Sequence, residues 1–149
     1  MFSKSCEYGI KAVVYIAQQS LQKRRVSLGD IAKEIDSPTA FTAKILQLLS
    51  KEKVIHSVMG QAGGYEIKLS QLDKISLLNI VNIIDGEHIH SGCGLGLKDC
   101  NDSVPCPIHY DFVKIRDDLK QMLSKTTILV LATSLDNGLV YLKRMTQAN

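Results

Sequence analysis

A chain of 149 residues with 45% hydrophobic and 22% charged side chains can bury a core, so the composition excludes a disordered chain and suits one compact domain with an appendage. No apolar run approaches the roughly 18 residues a membrane span needs. The net charge of +3 names no partner by itself, but residues 1–68 hold ten Lys/Arg against six Asp/Glu and residues 69–149 hold eight against nine. The positive excess in the first half hints at an anionic partner, although ordinary solvated lysines would account for it equally well.

The N-terminus, MFSKSCEYGIKAVVYIAQQS, carries Lys4, Glu7 and Lys11 and has no small-residue cleavage site. It reads as a folded helix over residues 5–20 and not as a signal peptide, which places the chain in the cytoplasm. QKRRV is a basic turn. Ser27, three residues before Asp30, opens a short second helix over about 28–35 in the manner of a capping box. Ser37 as N-cap and Pro38 at the first helical position then start a third helix, to about Lys51. Two short helices across a tight turn make a helix-turn-helix candidate. On the third helix Thr42, Ile45, Leu46 and Leu49 share a core-facing side. The opposite side carries Ala40, Ala43, Lys44, Gln47 and Lys51, small residues where close approach is needed and long donors for phosphates or base edges. A solvated helix face is the plainer reading of the same residues.

VIHSV, the glycine-rich MGQAGG and GYEIKL form a β-hairpin directly after that helix, which is the winged-helix order. ISLLNIVNIIDG predicts a fourth helix capped by Ser76 and stopped at Gly86. Residues 86–105 read as a loop, with His88 and His90 as solvated loop residues. From Pro107 a long helix runs to about Lys125. Its Ile108, Phe112, Ile115, Leu119 and Met122 are spaced 4, 3, 4, 3, a heptad seam that predicts dimerisation. TTILVLATSLDNGLVYL is apolar enough to pack as a last helix.

Three of the four cysteines fall within fourteen residues, as Cys93-x6-Cys100-x5-Cys106-x2-His109. Thiolates are soft ligands that suit zinc, copper(I) or iron–sulfur clusters. Zinc knuckles bring ligands together as close C-x2-C pairs, and this loop has none; its one close pair is Cys106 and His109. Wide spacing on a glycine-bearing loop suits a larger object, and an iron–sulfur cluster held by three thiolates and one other ligand fits. A disulfide or idle thiols are the alternatives. Cys6 reads as a small buried residue of the first helix.

These residues resemble the Rrf-type winged-helix transcription regulators. The resemblance covers about residues 3–130 and rests on EYGIKAVVYIA, DIAKEIDSPTAFTAKILQLLSKEKVI, the wing SVMGQAGGYEI and the three-cysteine loop. It implies a homodimer on a palindromic operator in double-stranded DNA, bound through the third helix and the wing, and controlled by a cluster in the loop. The DNA-binding set it suggests is Ser37, Thr39, Ala40, Ala43, Lys44, Gln47 and Lys51, with Met59 and Gln61 on the wing. Members similar to IscR hold a 2Fe–2S cluster by three cysteines and a following histidine, which would be Cys93, Cys100, Cys106 and His109. Members similar to NsrR take an acid near the partner's N-terminus as fourth ligand, and Glu7 falls at that position. Two departures stand out. Met59 occupies the place of the family's wing arginine, and Gln61 that of a proline.

The reading is a mainly α protein with a small β-hairpin: a winged helix-turn-helix domain at 1–85, a cluster loop at 86–106, and a dimerisation helix with helical tail at 107–149. The function read from it is a transcriptional regulator, taken as a repressor, whose DNA affinity follows an iron–sulfur cluster. A 4Fe–4S cluster, zinc, a thiol redox site and a metal-binding interaction module remain open beside it. His56, His88 and His90 have no nucleophile or acid partner in sequence that would make an enzyme.

Overall fold

The computed structural model describes residues 1–144. Among them the order is α1 Lys4–Leu21, α2 Leu28–Glu34, α3 Thr39–Lys51, β1 His56–Val58, β2 Gly64–Glu66, α4 Leu77–Asp85, α5 His88–Ser91, α6 His109–Lys125 and α7 Ile128–Asp136, with one 3₁₀ turn at Leu69–Gln71. The last five residues of the 107–149 segment lie outside the described residues. No described helix is long and apolar enough to cross a membrane.

α1 starts where the Ser3 hydroxyl accepts the Cys6 N–H at 3.0 Å, and it buries Gly9, Ala12, Val13, Ile16, Ala17 and Ser20 along one stripe of 3.6-residue period. α2 starts at Ser27, whose hydroxyl accepts the Asp30 N–H at 3.1 Å. Asp36, at φ 52°, makes the sharp turn into α3; aspartate tolerates this left-handed backbone better than most residues. α3 begins one residue later than expected. Pro38 keeps an extended ψ of 133° and stands at the N-cap position, where it offers no side-chain cap. Ser37 is therefore not the cap, and its hydroxyl instead pairs with that of Thr42. The predicted inner face holds, with Thr42, Ile45, Leu46 and Leu49 all buried.

The hairpin pairs His56 with Glu66, Ser57 with Tyr65 and Val58 with Gly64. Val26, between α1 and α2, adds a third edge: its N–H donates to Tyr65 O at 3.2 Å and its carbonyl accepts the Tyr65 N–H at 2.8 Å. Gly64 makes that approach possible. Its φ is +135°, and a Cβ there would stand 2.8 Å from the Val26 carbonyl oxygen. α4 carries a reciprocal capping box between Ser76 and Asn79 and ends at Gly86 with φ 74°, as its sequence predicts.

Two expectations change. The stretch after Gly86 is not all loop, because His88–Ser91 closes one helical turn on Glu87 and His88 carbonyls. His90 is not solvated: it is buried, with Nε2 2.6 Å from Asn82 Oδ1 on α4. The tail helix α7 also does more than extend the 107–149 segment. Ile128 and Ala132 sit in the same core as Val13, Ile16, Ala17, Leu46 and Ile80. The Ile128 N–H donates to Ile75 O and that of Leu129 to Leu72 O, both at 2.9 Å. Each fully buried Ile or Leu of this core contributes roughly 1.5–3 kcal/mol. A second, smaller core joins Cys6 of α1, Val81 of α4 and Leu123 of α6, with Leu119 packed against it.

Candidate functional site

The outward side of α3 presents Thr39, Ala40, Lys44, Gln47 and Lys51 to solvent, while Ala43 is half-buried. Ser37 is half-buried and occupied by Thr42, so it is less available than its neighbours. The helix is propped from behind by α1, where Tyr8 meets Phe41 edge-to-face at 5.7 Å. At the wing tip Met59 is 90% exposed and Gln61 is exposed. The wing is braced by Arg25: its Nε lies 2.8 Å from Glu66 Oε2 and its Nη1 donates to Ala62 O at 3.1 Å. An exposed ion pair adds little stability, so the brace acts through geometry. It turns the basic QKRRV stretch toward the wing, and Lys23, Arg24, Arg25, Gln61 and Lys68 line a groove of about 740 Å³ between them. The sequence marked Lys23, Arg24 and Arg25 as a turn only, because the contact from Arg25 to Glu66 spans 41 residues of chain.

In the cysteine loop the three cysteines and His109 come together as two pairs. Cys93 Sγ lies 3.9 Å from Cys106 Sγ, and Cys100 Sγ lies 3.5 Å from His109 Nδ1. The pairing is not the one the spacing suggested. Cys106 and His109 share a turn, with the His109 N–H donating to Cys106 O at 3.0 Å, yet their side chains face different partners. Cys93 is buried, and its thiol is held below the usual range, first by the backbone N–H of Leu95 and then by that of Leu97. His109 is buried on the first turn of α6, with Nε2 2.6 Å from Asp102 Oδ1. Gly94 lets the loop lie on α6, since a Cβ there would meet the Phe112 ring at 2.8 Å.

Two residues that sequence reasoning did not single out complete this region. Asp102 holds the outer nitrogen of His109. Arg116 of α6 donates from Nη1 to the carbonyls of Ser91 and Gly92, both at 3.1 Å, and so fastens the root of the loop just before Cys93. Asp102 had a weak signal, an acid lying between two ligand candidates. Arg116 had none, because its partners are backbone carbonyls more than twenty residues away. Glu7 stays apart within the chain, paired with Lys4 Nζ at 3.1 Å. Cys6 is fully buried as expected. Burial first, and Asp85 second, push its thiol up to about 12. Among the described residues no group of three or more His, Cys, Asp or Glu side chains is gathered tightly enough to hold a single metal ion.

The helix expected from Pro107 begins at His109, with Ile108 at its N-cap, and the five seam residues do not form one outward stripe. Phe112 and Leu119 are half-buried, against Gly94 and the second core respectively. Ile108, Ile115 and Met122 face outward at 38%, 64% and 45% exposure.

A helix-turn-helix with a hairpin wing, followed by a long helix with outward apolar residues, defines a winged-helix protein. Solved structures share the fold. CymR, the global cysteine regulator of B. subtilis, superposes with a TM-score of 0.74 at 23% identity, over 89% of this chain and 96% of that one. T. potens IscR superposes with a TM-score of 0.70 at 18% identity, over 99% and 93%. Among curated proteins, a protein of Aquifex aeolicus described as an HTH-type transcriptional regulator is 28% identical over 130 residues, 86% of this chain and 88% of that protein. A Haemophilus influenzae protein of the same description is 27% identical over 124 residues, 83% and 81% respectively. The Rrf2 family model, described as iron-dependent transcriptional regulator, matches residues 2–134. The chain belongs to the Rrf2 family, whose members are transcription regulators and not enzymes.

Proposed function

We propose that this regulator is a cytoplasmic homodimeric repressor that binds a palindromic operator through α3 and the wing, with affinity set by a 2Fe–2S cluster in the loop. The observation that carries the cluster is the two-by-two arrangement of soft donors, Cys93 with Cys106 and Cys100 with His109. A structural zinc draws four ligands to one point, whereas a two-iron cluster takes two at each iron. The donor set fits the second, with His109 favoured over Glu7 because it stands on the first turn of α6 against Cys100 and needs no partner subunit, whereas Glu7 is paired with Lys4. Bound there, a cluster would supply a one-electron redox centre that reacts with oxidants or nitric oxide. The residues that would hold it sit between Arg116 at the loop root and His109 at the head of α6, so loading or loss would reorder the loop against the dimerisation helix.

For DNA, the support is the polar outward face of α3 and the cations beside the wing. For the dimer, it is the outward Ile108, Ile115 and Met122. Anaerobic purification tests the cluster: visible absorbance with roughly two irons and two acid-labile sulfides per chain is expected. Stoichiometric zinc without sulfide ends that reading. A salt-dependent gel shift on a two-half-site DNA tests the regulator.

A thiol switch is the second reading, favoured by one observation: the Cys93 thiol is held low by backbone amides and lies 3.9 Å from Cys106. A two-electron oxidant such as peroxide would then join the two sulfurs, with two protons released and two electrons passed to the oxidant. An intact mass lower by two hydrogens, lost in Cys106→Ser, would support it.

A further inference from the structure

We infer that Asp102 is a positioning residue for His109, fixing which ring nitrogen faces Cys100 and how strongly it donates; the inference rests on the cluster reading above. The His109 ring is buried, and each of its nitrogens has one partner: Nδ1 lies 3.5 Å from Cys100 Sγ and Nε2 lies 2.6 Å from Asp102 Oδ1. A carboxylate accepts, so Nε2 is the ring nitrogen that donates to Asp102, which leaves Nδ1 to face Cys100. A histidine ligand whose outer N–H meets a carboxylate is held in one orientation and is the more basic for it. Asp102 reaches the ring because Asn101 turns the chain beside it, its Oδ1 accepting the Ser103 N–H at 2.8 Å. The Asp102 side chain is itself 89% exposed, so water screens its charge and the effect belongs at the small end of outer-sphere contributions.

The test compares four variants of the full-length, cluster-loaded protein: Asp102→Asn, Asp102→Ala, Asp102→Glu and, as a control, Asp99→Asn. Asp99 is an exposed carboxylate on the same loop that makes no hydrogen bond with His109 among the described residues. The readouts are iron and sulfide content, the midpoint potential and the rate of cluster loss to a chelator. Asp102→Asn removes the charge but keeps an acceptor, so it is expected to raise the potential more than Asp99→Asn while iron and sulfide stay at the wild-type level. Asp102→Ala removes both and is expected to speed cluster loss about tenfold, with Asp102→Glu restoring part of it. Equal potentials in Asp102→Asn and Asp99→Asn, or an unchanged loss rate in Asp102→Ala, overturn the inference and leave the cluster reading standing. A wild-type protein without acid-labile sulfide fails the cluster reading before any variant is compared.

Discussion

α3 and α6 are both amphipathic helices, and they leave opposite surfaces uncovered. α3 buries Thr42, Ile45, Leu46 and Leu49 inside its own chain and turns Lys44, Gln47 and Lys51 outward. α6 fully buries only His109 and Leu123 and leaves Ile115 and Met122 outward, with Ile108 at its N-cap in the same seven-residue register. Single exposed apolar residues are ordinary, but three in register along one helix make a stripe. The apolar demand of α3 is met within the chain, so what remains is a polar face fit for phosphates and base edges. The demand of α6 is not met, so what remains suits a second copy. The same amphipathic pattern thus points to two kinds of partner, according to how much of it the chain covers.

The largest expected effect lies at the head of α6. Cys93→Ala, Cys100→Ala and Cys106→Ala should each abolish stable cluster binding, read as loss of visible absorbance and sulfide, because each removes a thiolate from a two-donor pair. A variant that retains a full cluster would detach the loop from the proposed function.

Next comes the outward stripe. Ile115→Glu places charges face to face in a paired α6 and should weaken dimerisation by several kcal/mol, giving a monomer by sedimentation with unchanged helix content. A dimer that survives would mean that α6 is not the interface, and the contrast with α3 would lose one side.

The polar side is tested more gently. Gln47→Ala should lose discrimination between operator and scrambled DNA by roughly 1–3 kcal/mol if its contact is bidentate. Lys51→Ala should weaken both DNAs alike and flatten the salt slope by about one unit per chain. If both variants bind as wild type does, α3 is not the reading helix.

The smallest effect is expected at the wing. Met59 is exposed and has no donor, so Met59→Arg should tighten binding modestly, most at low salt and on A·T-rich flanks where a narrow minor groove attracts arginine. A change that ignores flank composition would place the tip outside the groove.

Reading forward from the residues, what could be seen was what depends on local spacing. The Ser76 cap, the Gly86 stop, the inner face of α3 and the hairpin order are patterns within a few residues, and the structure keeps them. The cysteines and His109 were visible as candidate ligands because soft donors seldom cluster by chance in a short loop. Where Pro38 displaced Ser37 from the cap, the error was one residue, since Pro38 keeps an extended ψ and Ser37 finds a nearer partner in Thr42.

What only the tertiary structure decided is who faces whom across turns and between helices. His109 follows Cys106 in sequence but meets Cys100, because the loop doubles back before α6 begins. His90 looked solvated until α4 supplied Asn82. Arg25 reaches the wing, and Arg116 the loop root, across stretches that no periodicity records. The seam of α6 shows the reason most plainly. A heptad pattern states that five side chains are apolar on one side of a helix, which is a property of the chain alone. Which of them are already covered depends on where Gly94 and the Cys6–Val81–Leu123 core come to rest, and that is settled by packing between distant segments.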